Sequence, residues 1–229
     1  MKTGARIHAV LYFSIGLAVA GCQTYPYSSR DILDAPDILQ VLHESAESRS
    51  PKSFEAVHRT LLTVRGRQFN LDGYLRVDTE TGYHFLVTSG MGSAVFELSC
   101  AVGGEVTVDR TSGLIDDATL LAGPGVDILR MYPTNPVSLT TLYSHSADTY
   151  ALLTASDDEQ TIHHLFDKTT LNLVAYHSLR KGRVRYSIEY SDFSKELLDD
   201  FTIPTTIRIE NSQLGYRLDI RLIDIRVDR

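Results

Sequence analysis

The sequence predicts a mainly β domain (α+β): one strongly curved antiparallel sheet, a half-open barrel of about eleven strands, with an N-terminal helix and a short helical lid. Three observations carry this. Apolar and polar residues alternate with period two along most of the chain after residue 56. Gly, Asn, Asp and Ser clusters punctuate the alternation at short intervals. The alternation is apolar-in, polar-out, as in an antiparallel sheet covered on one face, and so many strands in one sheet must curl or close. The 229 residues suit a single domain of moderate size. A composition 43% hydrophobic and 22% charged excludes a disordered chain and a multispanning membrane protein, and a net charge of -7 argues against a nucleic-acid partner.

The chain opens with Lys2 and Arg6, followed by an apolar run from Ala9 to Ala20. A positive segment before a short apolar one is the layout of a secretory signal, and the run is well short of the roughly 20 residues a spanning helix needs. Its end, Val19-Ala20-Gly21-Cys22, resembles a bacterial lipobox. That resemblance implies a signal peptide over 1–21, cleavage before Cys22, diacylation of the Cys22 thiol and acylation of the new amine. Two acyl chains anchor a protein stably. In such lipoproteins an Asp after the cysteine specifies inner-membrane retention; Gln23 stands there, which implies the periplasmic face of the outer membrane. Cleavage removes Lys2 and Arg6, so the mature chain carries 20 basic and 29 acidic side chains, a charge of -9. Cys100 is then the sole thiol, and an oxidising compartment favours its burial.

Residues 22–36 read as a lipidated tether, polar and carrying two prolines, and residues 37–229 as the folded domain. Asp37 caps a helix whose apolar stripe is Ile38, Leu39, Val41 and Leu42, ended by Ser50-Pro51. Strands are expected at 57–65, 68–78, 83–88, 94–102 and 105–109. In the second, Leu71, Gly73, Leu75 and Val77 share a face; in the fourth, Phe96, Leu98 and Cys100 do, which places Cys100 inside. Ser89 to Gly92 and Gly103-Gly104 supply turns. Residues 111–146 are rich in Gly and Pro and read as loop, with one short helix over 126–132 carrying Ile128, Leu129 and Met131; Gly123-Pro124-Gly125 reads as a hinge before it. Strands resume at 148–155, 161–167, 173–179, 183–190, 205–211 and 216–227. In the last, the apolar phase switches from Tyr216, Leu218, Ile220 and Leu222 to Ile223, Ile225 and Val227, which requires a bulge or bend near Leu222-Ile223.

Catalytic chemistry finds little support. His163-His164 are adjacent in a strand and point to opposite faces, so they cannot chelate one metal together. His84, His145 and His177 lack metal-ligand spacing, and no phosphate loop, dinucleotide fingerprint or nucleophile elbow is present. No cofactor and no metal are expected. Ser89 and Ser93 flank a glycine turn, and the acidic pairs Asp116-Asp117, Asp157-Asp158 and Asp199-Asp200 read as turn chemistry and solubility. The strand tyrosines, Tyr74, Tyr83, Tyr150, Tyr176, Tyr186, Tyr190 and Tyr216, fit a sheet core and rim.

The order helix, five strands, helical insert, six strands resembles the bacterial lipoprotein-localisation carrier and receptor proteins, LolA and LolB. The stretch 173–225, with Tyr190-Ser191-Asp192-Phe193, Ile203-Pro204-Thr205-Thr206-Ile207 and Leu214-Gly215-Tyr216-Arg217-Leu218, also resembles uncharacterised outer-membrane lipoproteins of related fold. The resemblance implies a non-enzymatic domain that holds lipid or lipoprotein acyl chains in a hydrophobic cavity between sheet and lid, for lipoprotein localisation or lipid transport. Cavity and lid candidates are Leu75, Val77, Phe85, Phe96, Leu98, Ile128, Leu129, Met131, Tyr186, Ile188, Tyr216 and Leu218. The exposed membrane-inserting loop of LolB has its nearest counterpart in Leu120-Leu121. A competing expectation is an envelope assembly lipoprotein that binds another envelope protein, and a third is a hydrolase with a buried Ser or Asp beside His.

Overall fold

The computed structural model describes residues 34–49, 52–102, 105–113, 115–131, 141–157, 160–194 and 202–227. The signal peptide, Cys22 and the tether up to residue 33 lie outside these residues, as do Ser50-Pro51, Gly103-Gly104 and Asp199-Asp200. The first described element is α1 (Pro36–Arg49), with Asp37 in its first turn. Five strands follow: β1 (Ser53–Val64), β2 (Arg67–Asp78), β3 (Gly82–Ser89), β4 (Ala94–Ala101) and β5 (Val106–Thr111). Two short helices, α2 (Asp117–Ala122) and α3 (Pro124–Leu129), precede β6 (Thr141–Ser144), β7 (Thr149–Asp157), β8 (Gln160–Asp167), β9 (Leu173–Arg180), β10 (Arg183–Ser194), β11 (Ile203–Asn211) and β12 (Tyr216–Val227).

All twelve strands form one curved, unclosed antiparallel sheet in the order β5-β4-β3-β2-β1-β12-β11-β10-β9-β8-β7-β6. The chain therefore runs outward from the centre to one edge, crosses to the opposite edge, and runs back to the centre. The first and last strands meet there, with Phe54 opposite Val227 and Val64 opposite Tyr216. The other neighbouring strands are joined in sequence. Two of the hairpin turns, Arg65-Gly66 and Lys181-Gly182, have positive φ at both residues, the geometry whose twist matches that of the flanking strands.

The sheet has twelve strands where about eleven were expected. The addition is β6, four residues long, which is too short to show a period. Among its described residues the helical insert likewise holds two helices instead of one. Asp116 accepts a hydrogen bond from the Thr119 amide at 2.9 Å and caps α2, so this acidic pair begins a helix. Pro124 stands in the first turn of α3, where its missing N–H costs nothing. A methyl group at Gly125 would sit 2.8 Å from the Leu120 carbonyl oxygen, so α2 and α3 touch where there is no side chain.

The predicted bulge is present. Val57 pairs with Asp224 and His58 with Leu222, which leaves Ile223 as the extra residue on β12. Leu222 and Ile225 are buried, while Ile223 is 50% exposed and belongs to neither inward series. Cys100 requires a correction. It shares the face of the buried Phe96 and Leu98 but lies near the end of β4, opposite Val106 on the edge strand, and is partly exposed. Burial nonetheless pushes its thiol pKa up.

Alternate residues of each strand face inward. The larger core cluster spans β1 to β4 and β10 to β12 and includes Leu120, Ile128 and Met131 from the insert. A second cluster packs Leu42 of α1 on Leu142, Leu152 and Phe166. Fully burying one such side chain contributes roughly 1.5–3 kcal/mol.

Candidate functional site

The inner face beneath α2 and α3 is the candidate site. β5 and β6 lie at opposite edges, so the connection between Thr111 and Thr141 has to bridge the sheet, and α2 and α3 are the part of that bridge seen to press on the inner face. Leu120, Ile128 and Met131 are fully buried there. The expected membrane-loop counterpart Leu120-Leu121 is not an exposed loop: both residues are helical, Leu120 is buried and Leu121 is 38% exposed.

A polar latch holds the insert down. Asp127 of α3 is 3% exposed. Its Oδ2 accepts hydrogen bonds from the Tyr216 hydroxyl and from Asn211 Nδ2, the latter at 2.8 Å. Arg130 Nη1 lies 3.2 Å from Oδ1. The Tyr186 hydroxyl donates to the Asp127 carbonyl at 3.1 Å, and the Tyr190 hydroxyl to the Met131 carbonyl at 2.9 Å. Four residues on three strands thus reach up to α3 and to Met131 just beyond it and satisfy their buried polar groups. Burial raises the carboxyl pKa of Asp127, opposed by the Tyr216 and Asn211 bonds and by Arg130. Burial and the nearby Asp127 raise the phenol pKa values of Tyr186 and Tyr216, so both stay protonated as donors.

Away from the latch, an aromatic line crosses the inner face towards α1. Arg130 stands 5.5 Å above the Tyr186 ring; Tyr186 meets Tyr176 edge-on at 5.8 Å, and Tyr176 meets His164 edge-on at 5.1 Å. On the other side His58, completely buried, stacks on Phe85 at 4.6 Å and bonds Thr60 Oγ1 through Nδ1 at 2.9 Å. Gly73 makes room for it: a Cβ there would be 2.6 Å from the imidazole and 2.1 Å from the Leu86 carbonyl oxygen. Burial lowers the pKa of His58, His163, His164 and His177 to about 4 in each case.

The expected opposition of His163 and His164 is seen. His163 pairs with His177, and His164 with Tyr176 on the inner face. Among the described residues no group of three or more His, Cys, Asp or Glu has metal-binding geometry. Ser89 and Ser93 hold a hairpin turn, with the Ser89 amide donating to the Ser93 carbonyl.

Eleven of the twelve cavity and lid candidates, Leu75, Val77, Phe85, Phe96, Leu98, Ile128, Met131, Tyr186, Ile188, Tyr216 and Leu218, fall in the one large core cluster. Leu129 ends α3, and its side chain lies outside the described part. The apolar period of the eleven corresponds to burial in this core. It missed Asp127, Asn211 and Arg130, whose roles come from elements far apart in sequence. A depression of about 410 Å³ lies elsewhere, along β1, β2 and β12, where Arg59, Asp72, Asp219 and Arg221 line a charged outer surface.

No protein-family model and no curated protein matches the chain. Solved structures do match it. A LolA superfamily protein from Nitrosomonas europaea superposes with a TM-score of 0.54 at 11% identity, covering 83% of this chain and 93% of that one. A DUF1329 family protein from Desulfovibrio piger gives a TM-score of 0.55 at 12% identity, covering 86% and 94%. At these identities the likeness is one of fold. The fold of the chain is LolA-like, as the order of its elements led us to expect.

Proposed function

We propose that this chain is a non-catalytic lipoprotein of the bacterial envelope that takes up acyl chains of lipids or lipoproteins between its sheet and the α2–α3 insert. Acylated Cys22 anchors it to the periplasmic face of the outer membrane. The observation that carries the reading is the construction of the insert. Its apolar side chains fill the inner face, while a compact set of hydrogen bonds, centred on Asp127, fixes its position. Lifting α2 and α3 exposes a continuous apolar surface that includes Leu98, Ile188 and Leu218. An acyl chain replaces Leu120, Ile128 and Met131 there at roughly 25 cal/mol per Å² of apolar area buried.

The test uses residues 23–229, the mature chain without its lipid-bearing residue, which retains every described element. It is expected to take up a fluorescent fatty acid and to copurify with lipid. Failure to bind any acyl probe overturns the reading. Radiolabelled palmitate incorporation that disappears in Cys22→Ala tests the anchor separately.

A second reading, an assembly lipoprotein that binds an envelope protein, draws on the open sheet. β5 and β6 each pair on one side only among the described strands, and such edges accept an added strand. Site-specific crosslinking from Thr107 and Tyr143 that returns one protein partner, with no lipid bound, favours it.

A further inference from the structure

We propose that His164, Tyr176 and Arg130 form a head-group subsite that receives the acidic end of an acyl ligand, a carboxylate or phosphate, where the two core clusters adjoin. The inference rests on the acyl-binding reading above and gives it a ligand polarity.

His164 is 4% exposed and on the inner face, yet neither ring nitrogen makes a hydrogen bond, and Nδ1 is fully buried without a partner. An imidazole left in that state is costly to the fold, and an apolar side chain at the same place is not. The Tyr176 hydroxyl next to it is also unbonded, although the Tyr186, Tyr190 and Tyr216 hydroxyls of the same face all donate to α3 or the residues around it. Arg130 uses one N–H on Asp127 and keeps the rest of its guanidinium free above the Tyr186 ring. Three donors of different kinds therefore stand in series along one wall, His164 to Tyr176 to Tyr186 to Arg130, in steps of 5.1, 5.8 and 5.5 Å. Ligand sites are built this way, from a few polar groups set in an otherwise apolar wall, and here Tyr176 stands between His164 on one side and Tyr186 with Arg130 on the other.

The surroundings fit the rest of an amphiphile. Leu152 is the cross-strand neighbour of His164, Ile188 that of Tyr176, and Phe166 lies two residues along the same face. A chain leaving the subsite in either direction meets apolar side chains. Asp127 shares the charge of Arg130, so the subsite selects acceptor atoms at contact more than it attracts anions from a distance.

The experiment measures binding of dansyl-undecanoic acid and of its methyl ester to residues 23–229. The acid is expected to bind more tightly than the ester. Tyr176→Phe and His164→Leu are each expected to weaken the acid about tenfold while leaving the ester within about twofold, the size expected for loss of a charged hydrogen bond. His164→Leu is also expected to keep or raise the thermal midpoint, since it removes an unsatisfied polar group. Displacement of the acid by palmitate identifies a fatty-acid carboxylate as the better occupant, and displacement by lysophosphatidylglycerol a phosphate; either supports the subsite, and displacement by neither overturns it. Equal affinity for acid and ester, or equal losses for both in the variants, overturns the subsite while the acyl-binding reading stands. A wild-type chain that binds neither probe overturns both.

Discussion

Asp127 is a buried carboxylate that the fold keeps only because three side chains serve it. Tyr216→Phe removes one donor and leaves the others, and is expected to cost about 1–3 kcal/mol in a urea titration. Gly73→Ala is expected to cost more than about 2 kcal/mol by the same measurement, because the added methyl meets backbone at Leu86 as well as the His58 ring. The buried histidines set the acid response. His58, His163, His164 and His177 have pKa values near 4 in the fold against about 6.5 when unfolded. Their contribution is complete above pH 6.5 and declines as the pH falls towards 4, because over that window the unfolded chain binds protons and the folded chain does not. Each of the four therefore withdraws stability as the pH falls from 6.5 towards 4. Urea midpoints at pH 7.5 and 5 are expected to differ sharply; equal midpoints would contradict the burial. At this scale the sequence was partly legible. Inward-facing apolar residues showed through their period. Cys100 misled because period two gives the face of a residue but not its distance from the strand end. Nothing local marks Asp127 or Arg130, whose partners lie on strands about 60 to 90 positions away in the case of Asp127.

Among the elements, the bulge in β12 is the clearest case of reading structure from pattern. A switch of apolar phase within one strand has few physical explanations, and an extra residue is the simplest. The bulge makes opposite demands on neighbours: Leu222→Ala is expected to cost about 2–5 kcal/mol, whereas Ile223→Lys is expected to stay within about 0.5 kcal/mol. Similar costs for both would mean that Ile223 is packed. The short elements were harder to read. The helix α2 spans six residues and β6 four, less than two periods of a helix and barely two of a strand. What defines them is contact with the sheet, and Gly125 is where that contact tolerates no side chain between the helices. Met131→Ala, which empties a buried place beneath the insert, is expected to lower stability by about 2–5 kcal/mol.

For the whole molecule, the sheet class, its openness and the position of the insert followed from composition, alternation and the order of segments. Which strand neighbours which did not, because pairing between β1 and β12 leaves no mark on either segment alone. The strand order predicts the hierarchy of local stability. Amides of β1, β11 and β12 are expected to exchange slowest and those of β5 and β6 fastest, with hydrogen-exchange mass spectrometry as the measurement. The meeting of first and last strands also sets the timing of folding in a growing chain. β1 emerges early and can pair with β2, yet its other edge stays open until the final twelve-residue strand arrives. A chain stalled before Tyr216 is two half-sheets with exposed seams, and its last segment is the keystone on which escape from aggregation depends.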